Sequence, residues 1–345
     1  MRVLVTGATG HLGTNLVYLL CAQGREVRAF VRPTSPRQLL AGLPIEWAVG
    51  DLLDSASIRQ ALDGVSVVYH AAAVYRTWAP DPETVIRPTL QGTRNLLQAL
   101  ERSRVERLIY VSTIGTIGFT TDPSRPRDEN AHNTHSRGAY FRAKILAEES
   151  VVEWHRRTGL PVVIVNPGSI IGPRFLRPTP TTRLVLDFLN GKARAIFQTG
   201  FNLVDAEDVA RGALAAEAKG IPGRRYLLGG ENLTMEAIYR LLSSLTGIPV
   251  PRLRVPPWVL PPVALLAEVW GRATGREPLV NRDTVHDLAG RYAYADSSRA
   301  IRELGYRYLP AEEALRRTIE WALEAGFIAE PRRERLRQRL AEEET

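Results

Sequence analysis

The sequence has little cysteine, little lysine and no long apolar run. Cys21 is the one cysteine among 345 residues, which excludes an intrachain disulfide and a cysteine cluster for a metal ion. We therefore predict no metal site and interpret Cys21 as a small apolar residue of the first helix. The most apolar stretch, residues 258–270, is interrupted by prolines and is much shorter than the ~20 residues of a membrane-spanning helix. It predicts a buried or substrate-covering helix, with peripheral membrane contact as the alternative.

The basic charge of the chain comes from arginine rather than lysine. Only three of the 45 basic residues are lysines, and the net charge is +8. This balance suits an anionic cofactor or substrate, but there is no basic block with interleaved aromatics, so nucleic-acid binding is not expected. The apolar N-terminus leads directly into a glycine turn instead of forming a secretory signal, which predicts a cytoplasmic protein.

The start of the chain predicts a strand, a tight turn and a helix. Residues 3–5 are an apolar run typical of a buried parallel strand, and Gly7, Gly10 and Gly13 follow it. Apolar residues at helical spacing then cover 12–20. In open α/β sheets such a turn holds a dinucleotide pyrophosphate: Gly7 permits the turn, Gly10 lets the backbone approach the phosphates, and Gly13 lets the helix pack on the strand. The alternative is a glycine turn that is merely structural.

Strands and helices alternate over the first third of the chain. With 44% hydrophobic residues the chain can bury a large core, in one large or two moderate domains. The alternation predicts a Rossmann-type, doubly wound parallel sheet of the α/β class, with ligands at the carboxyl ends of the strands. The expected strands cover 3–5, 26–31, 45–49, 65–69 and 107–112, and the expected helices cover 12–20, 55–63, 82–100 and 138–157.

The end of the second strand bears on the choice of cofactor. In nicotinamide-binding folds an acid at this point binds the ribose 2′-hydroxyl, whereas an arginine accommodates a 2′-phosphate. Residues 32–35 contain no acid and Arg32 is available, so NADP(H) is favoured, with NAD possible. Asp51, which Leu52 follows, comes after the third strand and either hydrogen-bonds the adenine or caps the next turn.

The fourth strand ends in a histidine and three alanines. Ala71, Ala72 and Ala73 are small enough for a cofactor to lie against the backbone, so we expect them at the cofactor site. We interpret His70 as a structural histidine that is hydrogen-bonded to main chain, in preference to a catalytic residue.

A tyrosine, a lysine and two hydroxyls provide candidate chemistry. Tyr140 and Lys144 are four residues apart on a predicted helix and share one face. A free phenol has a pKa of about 10, and an adjacent ammonium should lower the pKa of Tyr140. Tyr140 would then exchange a proton with a substrate oxygen while a hydride moves at the carbon. Ser112 and Thr113, at the end of the fifth strand, can reach the same site; the alternative is a surface tyrosine beside a solvated lysine.

Together these motifs resemble the extended short-chain dehydrogenases/reductases, the NAD-dependent epimerase/dehydratase superfamily, over nearly the whole chain. Within it the sequence is most similar to the dihydroflavonol-4-reductase-like proteins and to the hopanoid-associated sugar epimerases. The motifs of the first resemblance are 6–13 (TGATGHLG), 51–52 (DL), 70–72 (HAA), 110–113 (YVST), 140–144 (YFRAK), 165–173 (VNPGSIIGP) and 203–210 (LVDAEDVA). Those shared with the sugar epimerases are 31–35 (VRPTS), 178–180 (PTP), 228–234 (LGGENLT) and 274–278 (TGREP).

The resemblance implies a role for each matching position. Tyr140 would be the general acid/base, and Lys144 its electrostatic partner and the donor to the ribose hydroxyls. Thr113, or its neighbour Ser112, would bind the substrate oxygen. The implied cofactor-binding residues are Gly7, Thr9, Gly10, His11, Leu12, Gly13, Arg32, Asp51, Leu52, Ala71, Ala72, Ala73, Tyr140, Lys144, Asn166 and Pro167, of which the last two would lie near the nicotinamide.

Two positions depart from the pattern of the family. Thr89 stands where relatives usually have Asn, which puts a supporting polar contact in doubt. Residues 205–207 (DAE) replace the usual His-Val-Asp before Asp208, which unsettles the link between the sheet and the substrate lobe.

The second half of the chain has a looser pattern of short helices and proline-rich connections. We expect a Rossmann domain over 1–167 and 198–231, and a smaller, mainly helical substrate lobe over 168–197 and 232–345. Strands near Asn202 and at 226–228 are expected to return to the sheet.

Arginines near the start of the substrate lobe could bind an anionic substrate group. They are Arg174, Arg177 and Arg183, on a loop that either gates the site or is static. Alternating charges over 332–344 predict a solvated helix at the end of the chain.

The leading functional hypothesis is an NADP(H)-dependent oxidoreductase that reduces a carbonyl or oxidises a secondary alcohol. One alternative is an NAD(P)-dependent nucleotide-sugar epimerase or dehydratase. The other is a non-catalytic NADP-sensing regulator, which the Tyr140 and Lys144 pair disfavours. The expected partner is a small molecule, namely a ketone, an alcohol or a nucleotide sugar, and the resemblance implies a homodimer through the helices at 82–100 and 137–157.

Overall fold

A computed structural model of the chain describes residues 1–76, 78–274, 278 and 280–343. The motif at 274–278 lies largely outside these residues, as does Glu344 at the end of the predicted tail helix. No helix of the described ranges is long and apolar enough to cross a lipid bilayer.

The largest sheet has seven strands, and every neighbouring pair is parallel. They are β1 (Arg2–Thr6), β2 (Glu26–Val31), β3 (Ile45–Val49), β4 (Val67–His70), β5 (Arg107–Val111), β6 (Val162–Pro167) and β10 (Arg225–Leu228). Their spatial order, β10-β6-β5-β4-β1-β2-β3, confirms the predicted doubly wound sheet. The order reverses between β1 and β4, and ligands bind at such a switch point.

Helices cover both faces of this sheet because its strands are apolar on both sides. One face carries α1 (His11–Ala22), α6 (Ala206–Lys219) and α10 (Ser298–Leu304), whose buried residues include Leu16, Ala213 and Leu304. The other face carries α2 (Ser55–Ala61), α3 (Glu83–Leu100) and α4 (Ala139–Thr158), whose buried residues include Ile58, Leu96 and Val151. We call the sheet and these helices the large-sheet region.

The remaining elements form what we call the small-sheet region. In it β9 (Gly200–Asp205) pairs with β7 (Ser169–Ile171), β11 (Glu231–Thr234) and β13 (Tyr292–Ala293), and β8 (Ala195–Phe197) pairs with β12 (Leu253–Val255). Its helices are α5 (Pro180–Leu189), α7 (Met235–Thr246), α8 (Leu260–Thr274), α9 (Arg282–Leu288), α11 (Ala311–Glu324) and α12 (Arg332–Glu343). A second core, which includes Phe188, Leu242 and Leu315, holds α5, α7 and α11 together.

Two expectations about the second half of the chain are wrong. The strand around Asn202 does not return to the large sheet, because β9 pairs instead with β7, which continues from β6 past Gly168. The strand at 226–228 does return, as β10. The stretch 258–270 is not a buried helix, because α8 buries Leu260 but leaves most of its large apolar side chains exposed; the substrate-covering alternative stays a prediction.

The predicted domain boundaries stay a prediction. Helix α10 packs on the large sheet although it lies within 232–345, and β9 belongs to a small sheet although it lies within 198–231. The two regions therefore exchange elements along the second half of the chain.

Candidate active site

The glycine turn after β1 forms one end of a cleft at the switch point of the sheet. Gly7 follows β1 with a φ of 69°, and a Cβ there would meet the backbone N of Ala72 at 2.7 Å. A Cβ on Gly13 would overlap the carbonyl oxygen of Gly7. Gly10 donates its N–H to that oxygen at 2.9 Å, and α1 begins directly after it. The turn and the helix N-terminus thus form a cradle for an anion such as a pyrophosphate.

A cavity of about 490 Å³ runs from this turn across the carboxyl ends of β4, β5 and β6 to the small-sheet region. Predicted site residues on its wall are Gly7, Gly10, His11, Leu12, Gly13, Ala71, Ala73, Thr113, Tyr140, Lys144 and Pro167. The structure therefore brings most of the predicted set together. Thr9 lies within the turn and Ala72 lies against Gly7, but neither residue lines the cavity.

Tyr140 on α4 meets Thr113, which follows β5. The Thr113 hydroxyl lies near enough to Tyr140 to oppose the stronger effect of burial on the Tyr140 pKa, and Thr113 Oγ1 accepts the N–H of Gly115 at 3.2 Å. The Tyr75 ring covers Tyr140, with 4.4 Å between the ring centroids. Of the two neighbouring hydroxyls considered from the sequence, Thr113 is the one that influences the pKa of Tyr140. Ser112 Oγ is buried on the cavity wall and has no hydrogen-bond partner in the described part of the chain.

The structure corrects the predicted effect of Lys144 on Tyr140. Burial raises the pKa of Tyr140 above its usual value, and the neighbouring Tyr75 phenol raises it further. Lys144 Nζ instead donates a hydrogen bond to the Val111 carbonyl oxygen at 2.5 Å. The prediction that the ammonium lowers the pKa of Tyr140 is wrong for this arrangement, so the phenol is a neutral proton donor at pH 7.

A buried network beneath the cleft surrounds Lys144. Burial lowers the pKa of Lys144 to about 8, and the nearby Glu148 carboxylate opposes this shift. Glu148 pairs with Arg225 at 2.8 Å and accepts a hydrogen bond from Asn166 Nδ2 at 2.9 Å. Our sequence reasoning missed Glu148, although the four-residue spacing from Tyr140 through Lys144 to Glu148 places all three on one helix face.

Asn166 supports the site from beneath. It is fully buried, and its Nδ2 donates to the Thr113 carbonyl oxygen at 3.2 Å and to the Thr116 hydroxyl at 3.0 Å. Pro167, the next residue, lines the cavity. Of the pair expected near the nicotinamide, Pro167 can touch a bound ligand, whereas Asn166 holds the backbone that carries Thr113.

A carboxylate from the small-sheet region fixes the start of α4. Asp287 on α9 is buried and accepts a hydrogen bond from the Ser136 hydroxyl at 2.5 Å. It also accepts the N–H groups of Arg137 and Gly138, at 3.1 Å each. These residues lead into the helix turn that carries Tyr140. No local sequence pattern predicts this contact, because the partners are 149 to 151 residues apart.

The predicted adenosine-binding residues lie at the ends of β2 and β3, beyond the cavity wall. Arg32 is exposed, and its backbone N–H donates to Ser35 Oγ at 3.1 Å. Asp51 Oδ1 accepts the N–H of Leu53 at 2.9 Å, which is the capping contact considered from the sequence. Leu52 packs against α3 beneath Gly92.

The two histidines near the turn are neutral structural groups. His70 Nδ1 lies 2.7 Å from Thr6 Oγ1, and its Nε2 lies 3.2 Å from Thr93 Oγ1, so its partners are hydroxyls rather than the predicted main chain. Burial lowers the pKa of His70 to about 3. His11 Nε2 contacts the Pro173 carbonyl oxygen at 3.1 Å, and burial lowers the pKa of His11 to about 4.

Thr89 keeps a polar contact at the position where relatives usually have Asn. Its Oγ1 accepts the N–H of Val74 at 3.3 Å and donates to the Val85 carbonyl oxygen at 3.0 Å. The hydroxyl therefore ties the segment after β4 to α3.

The loop that starts at Arg174 is anchored. Arg174 pairs with Glu207 and donates to Asn15 Oδ1 at 3.0 Å, so its guanidinium is not available to a substrate. Phe175 is buried, and Trp321 Nε1 donates to its carbonyl oxygen at 3.0 Å. These contacts agree with a static loop rather than a gate.

A nicotinamide dinucleotide fits this cleft. Side chains at Gly7 and Gly13 would collide with neighbouring backbone, so the tight turn that leads into the N-terminus of α1 requires glycine, and Ser112 offers an unpartnered hydroxyl on the wall of the described cavity. A doubly wound sheet whose switch-point cleft holds Tyr140 and Lys144 one helical turn apart is the architecture of a short-chain dehydrogenase/reductase.

The chain belongs to the NAD dependent epimerase/dehydratase family, whose model matches residues 3–229. It is 38% identical over 330 residues to a putative dihydroflavonol 4-reductase of Synechocystis sp., over 94% of this chain and 95% of the relative. It is 39% identical over 330 residues to sterol demethylase protein B of Methylococcus capsulatus, over 95% of this chain and 100% of the relative. The crystal structure of gox2253 superposes with a TM-score of 0.85 at 38% identity, over 95% of this chain and 99% of that one. The chain is thus an NAD(P)-dependent oxidoreductase of the extended short-chain type, which confirms the predicted family and enzyme class.

Proposed function

We propose that this enzyme reduces a ketone, or oxidises the matching secondary alcohol, on a largely apolar substrate with NADP(H) as cofactor. The observation that carries the proposal is the chemistry of the cavity wall at the small-sheet end. The apolar side chains there are Phe119, Phe141, Leu184, Val185, Phe201, Leu203, Ile238 and Leu288.

The same wall argues against a nucleotide sugar. A nucleoside diphosphate carries two negative charges that need cations or several N–H donors once they leave water. Among the described residues on the wall, Lys144 is the one with a charged side chain at pH 7, and it lies beside Tyr140 at the cofactor end. His11 stays neutral because burial lowers its pKa to about 4. The names of the two curated relatives, a dihydroflavonol reductase and a sterol demethylase component, also support an apolar substrate.

The cofactor would lie across the switch point. Gly7 and Gly10 would face the pyrophosphate, Lys144 the ribose of the nicotinamide, and Arg32 a 2′-phosphate on the adenosine. When bound, the dinucleotide supplies or accepts the hydride.

Tyr140 would supply the proton. When a hydride adds to a ketone carbon, the C=O bond becomes a C–O⁻ group that needs a proton. The Tyr140 hydroxyl is neutral because its pKa is raised, and Tyr140 and Thr113 both line the cavity. Thr113 would hold the substrate oxygen beside Tyr140, so that the proton moves from the phenol to the oxygen. Oxidation of the alcohol is the reverse of this transfer.

A substrate screen tests the proposal. The purified enzyme with NADPH should lose nicotinamide absorbance with lipophilic ketones, such as flavonoid-like or steroid-like compounds. An epimerase or dehydratase would instead convert nucleotide sugars with no net change in nicotinamide absorbance. Turnover of nucleotide sugars without net oxidation of the cofactor, together with inertness to every ketone, would overturn the proposal.

The preference for NADP has its own test in Arg32→Ala. Loss of the guanidinium should weaken NADP binding about tenfold and leave NAD binding unchanged. The matched control is Arg59→Ala, because Arg59 is also exposed but lies on α2. Equal affinities for NADP in the two variants would remove Arg32 from the cofactor site. The homodimer through α3 and α4 and the cytoplasmic location stay predictions.

A further inference from the structure

Helix α8 presents its large apolar side chains outward. The exposed residues form what we call the α8 face: Trp258, just before the helix, and Val263, Leu265, Leu266, Val269 and Trp270. Their exposed fractions run from 45% for Val263 to 78% for Trp258. A contiguous apolar surface of this kind marks a site of interaction.

The inner side of α8 carries one large apolar residue, two small ones and an acid. Leu260 and Ala264 pack with Val285 of α9, and Gly271 and Glu268 are also buried. Glu268 accepts the backbone N–H of Arg282 at 2.7 Å and its Nε at 2.9 Å. Glu268 thus ties the inner side of α8 to the start of α9. The large apolar side chains of the α8 face stay on the outer side, where a helix in water usually carries polar residues.

We propose that the α8 face lies on the surface of an anionic phospholipid bilayer. The face begins and ends with tryptophans, Trp258 and Trp270, the residues that favour the interface of a membrane with water. At 1.5 Å per residue the 15 residues of α8 span about 22 Å, less than the ~30 Å core of a bilayer, and the exposed apolar side chains lie on one side of the helix, so α8 would lie in the plane of the interface.

Charge complementarity selects an anionic lipid. Exposed arginines flank the face on both sides, with Arg252 and Arg254 before Trp258 and Arg272 after Trp270. The acids of this segment are already paired, since Glu236 binds Arg254 at 2.8 Å and the buried Glu268 binds Arg282. The chain as a whole carries +8. Basic residues beside an apolar helix face attract the anionic head groups of a bilayer.

Binding of the α8 face to a bilayer would place the small-sheet end of the cavity, where the proposed substrate binds, close to the lipid. Helix α8 packs on α9, and Thr284 and Leu288 of α9 line the cavity. An apolar substrate dissolved in the bilayer would then have a short route to Tyr140. This consequence rests on the proposed function, whereas the lipid contact itself does not.

Cosedimentation of the full chain with vesicles tests the proposal. The wild type should sediment with vesicles of phosphatidylcholine and phosphatidylglycerol, bind pure phosphatidylcholine several-fold more weakly, and lose affinity at high salt. Leu266→Glu should weaken binding to the mixed vesicles at least about tenfold. The matched control is Ile301→Glu, because Ile301 is an exposed apolar residue of α10 on the other region and should leave binding unchanged.

Three results would overturn the proposal. The wild type could stay in solution with the anionic vesicles, or Leu266→Glu could bind them as well as the wild type does. The third is a dimer in sedimentation velocity that Leu266→Glu converts to a monomer, without vesicle binding, which would make a second copy of the chain the occupant of the face. Turnover of a water-soluble ketone by Leu266→Glu separates failure of this proposal from failure of the proposed activity.

Discussion

The large-sheet region and the small-sheet region contribute to one cleft in different ways. The large-sheet region offers backbone, namely the glycine turn at Gly7 and the N-terminus of α1. The small-sheet region offers side chains, such as Phe201, Ile238 and Leu288. Backbone N–H groups bind phosphates, and a few neighbouring glycines determine their geometry. Side chains from distant parts of the sequence bind a substrate. A phosphate site can therefore be predicted from a local sequence pattern, whereas a substrate site can be recognised only once the fold is known.

Partly buried ion pairs join the two regions at the unusual residues 205–207. Asp205 accepts the N–H of Glu207 at 2.8 Å and pairs with Arg317 of α11 at 3.0 Å. Glu207 pairs with the same Arg317 at 2.7 Å and with Arg174. The departure from the family's pattern therefore leaves the link intact, because other charged side chains form it.

The largest effect is expected where the two regions meet, at Tyr140. Tyr140→Phe should lower kcat by about 10³-fold, because it removes the hydroxyl that would protonate the substrate oxygen, while the Kd for NADPH stays unchanged. Steady-state kinetics and a binding titration measure the two quantities. Tyr75→Phe is the control, since the Tyr75 ring packs against Tyr140 but has no part in the proposed proton transfer, and it should keep most of the activity. Equal losses in the two variants would refute a special role for Tyr140.

A substitution in the glycine turn should disrupt the dinucleotide site of the large-sheet region without changing the small-sheet region. Gly7→Ala should cost about 2–5 kcal/mol of unfolding free energy, from the left-handed conformation and from collision with Ala72. Gly24→Ala isolates the first cause, since Gly24 has the same φ of 69° with nothing within 4 Å, and should cost about 1–2 kcal/mol. Denaturant unfolding measures both. Dinucleotide affinity should fall only in Gly7→Ala, and equal behaviour of the two variants would contradict the cradle.

Removing the carboxylate of Asp287 should show how the small-sheet region positions Tyr140. Asp287→Ala frees the backbone before α4, so kcat should fall about tenfold while the Kd for NADPH changes little. Asp283→Ala, on the same helix, is the control and should retain kcat. A pure loss of cofactor affinity in Asp287→Ala would mean that the contact serves the cofactor instead.

The smallest effect is a pH dependence of cofactor binding. Burial lowers the pKa of Lys144 to about 8, so its positive charge is present below pH 8 and is lost as pH rises through that value. The Kd for NADPH should rise several-fold between pH 8 and pH 9, where an ordinary lysine with a pKa of about 10.4 stays charged. Lys144→Arg keeps its charge over this range and should abolish the step. A flat profile in the wild type would show that Lys144 makes no charged contact with the cofactor.

The features of the large-sheet region that follow from local patterns could be predicted from the sequence. The buried parallel strands, the glycine turn and the four-residue spacing of Tyr140 and Lys144 are local patterns, and each was predicted correctly in position. The direction of the Tyr140 pKa was not, because it depends on burial and on where Lys144 Nζ points, which is the Val111 carbonyl oxygen. Spacing alone fixes neither of these.

Contacts between residues that are far apart in the sequence could not be predicted. Asp287 touches the start of α4 from 149 to 151 residues away. The strand around Asn202 was assigned to the wrong sheet, because its apolar pattern is the same whichever partner it pairs with. Residues 258–270 were expected to form a buried or substrate-covering helix, and composition alone could not show which of their side chains would be exposed.

A crystal structure of the enzyme with NADP bound tests the central claim most directly. The account predicts the pyrophosphate at Gly7 and Gly10, and the nicotinamide ring between Thr113 and Pro167 with the Tyr140 hydroxyl facing its reactive carbon. A dinucleotide bound outside this cleft, or a nicotinamide ring turned away from Tyr140, would contradict it.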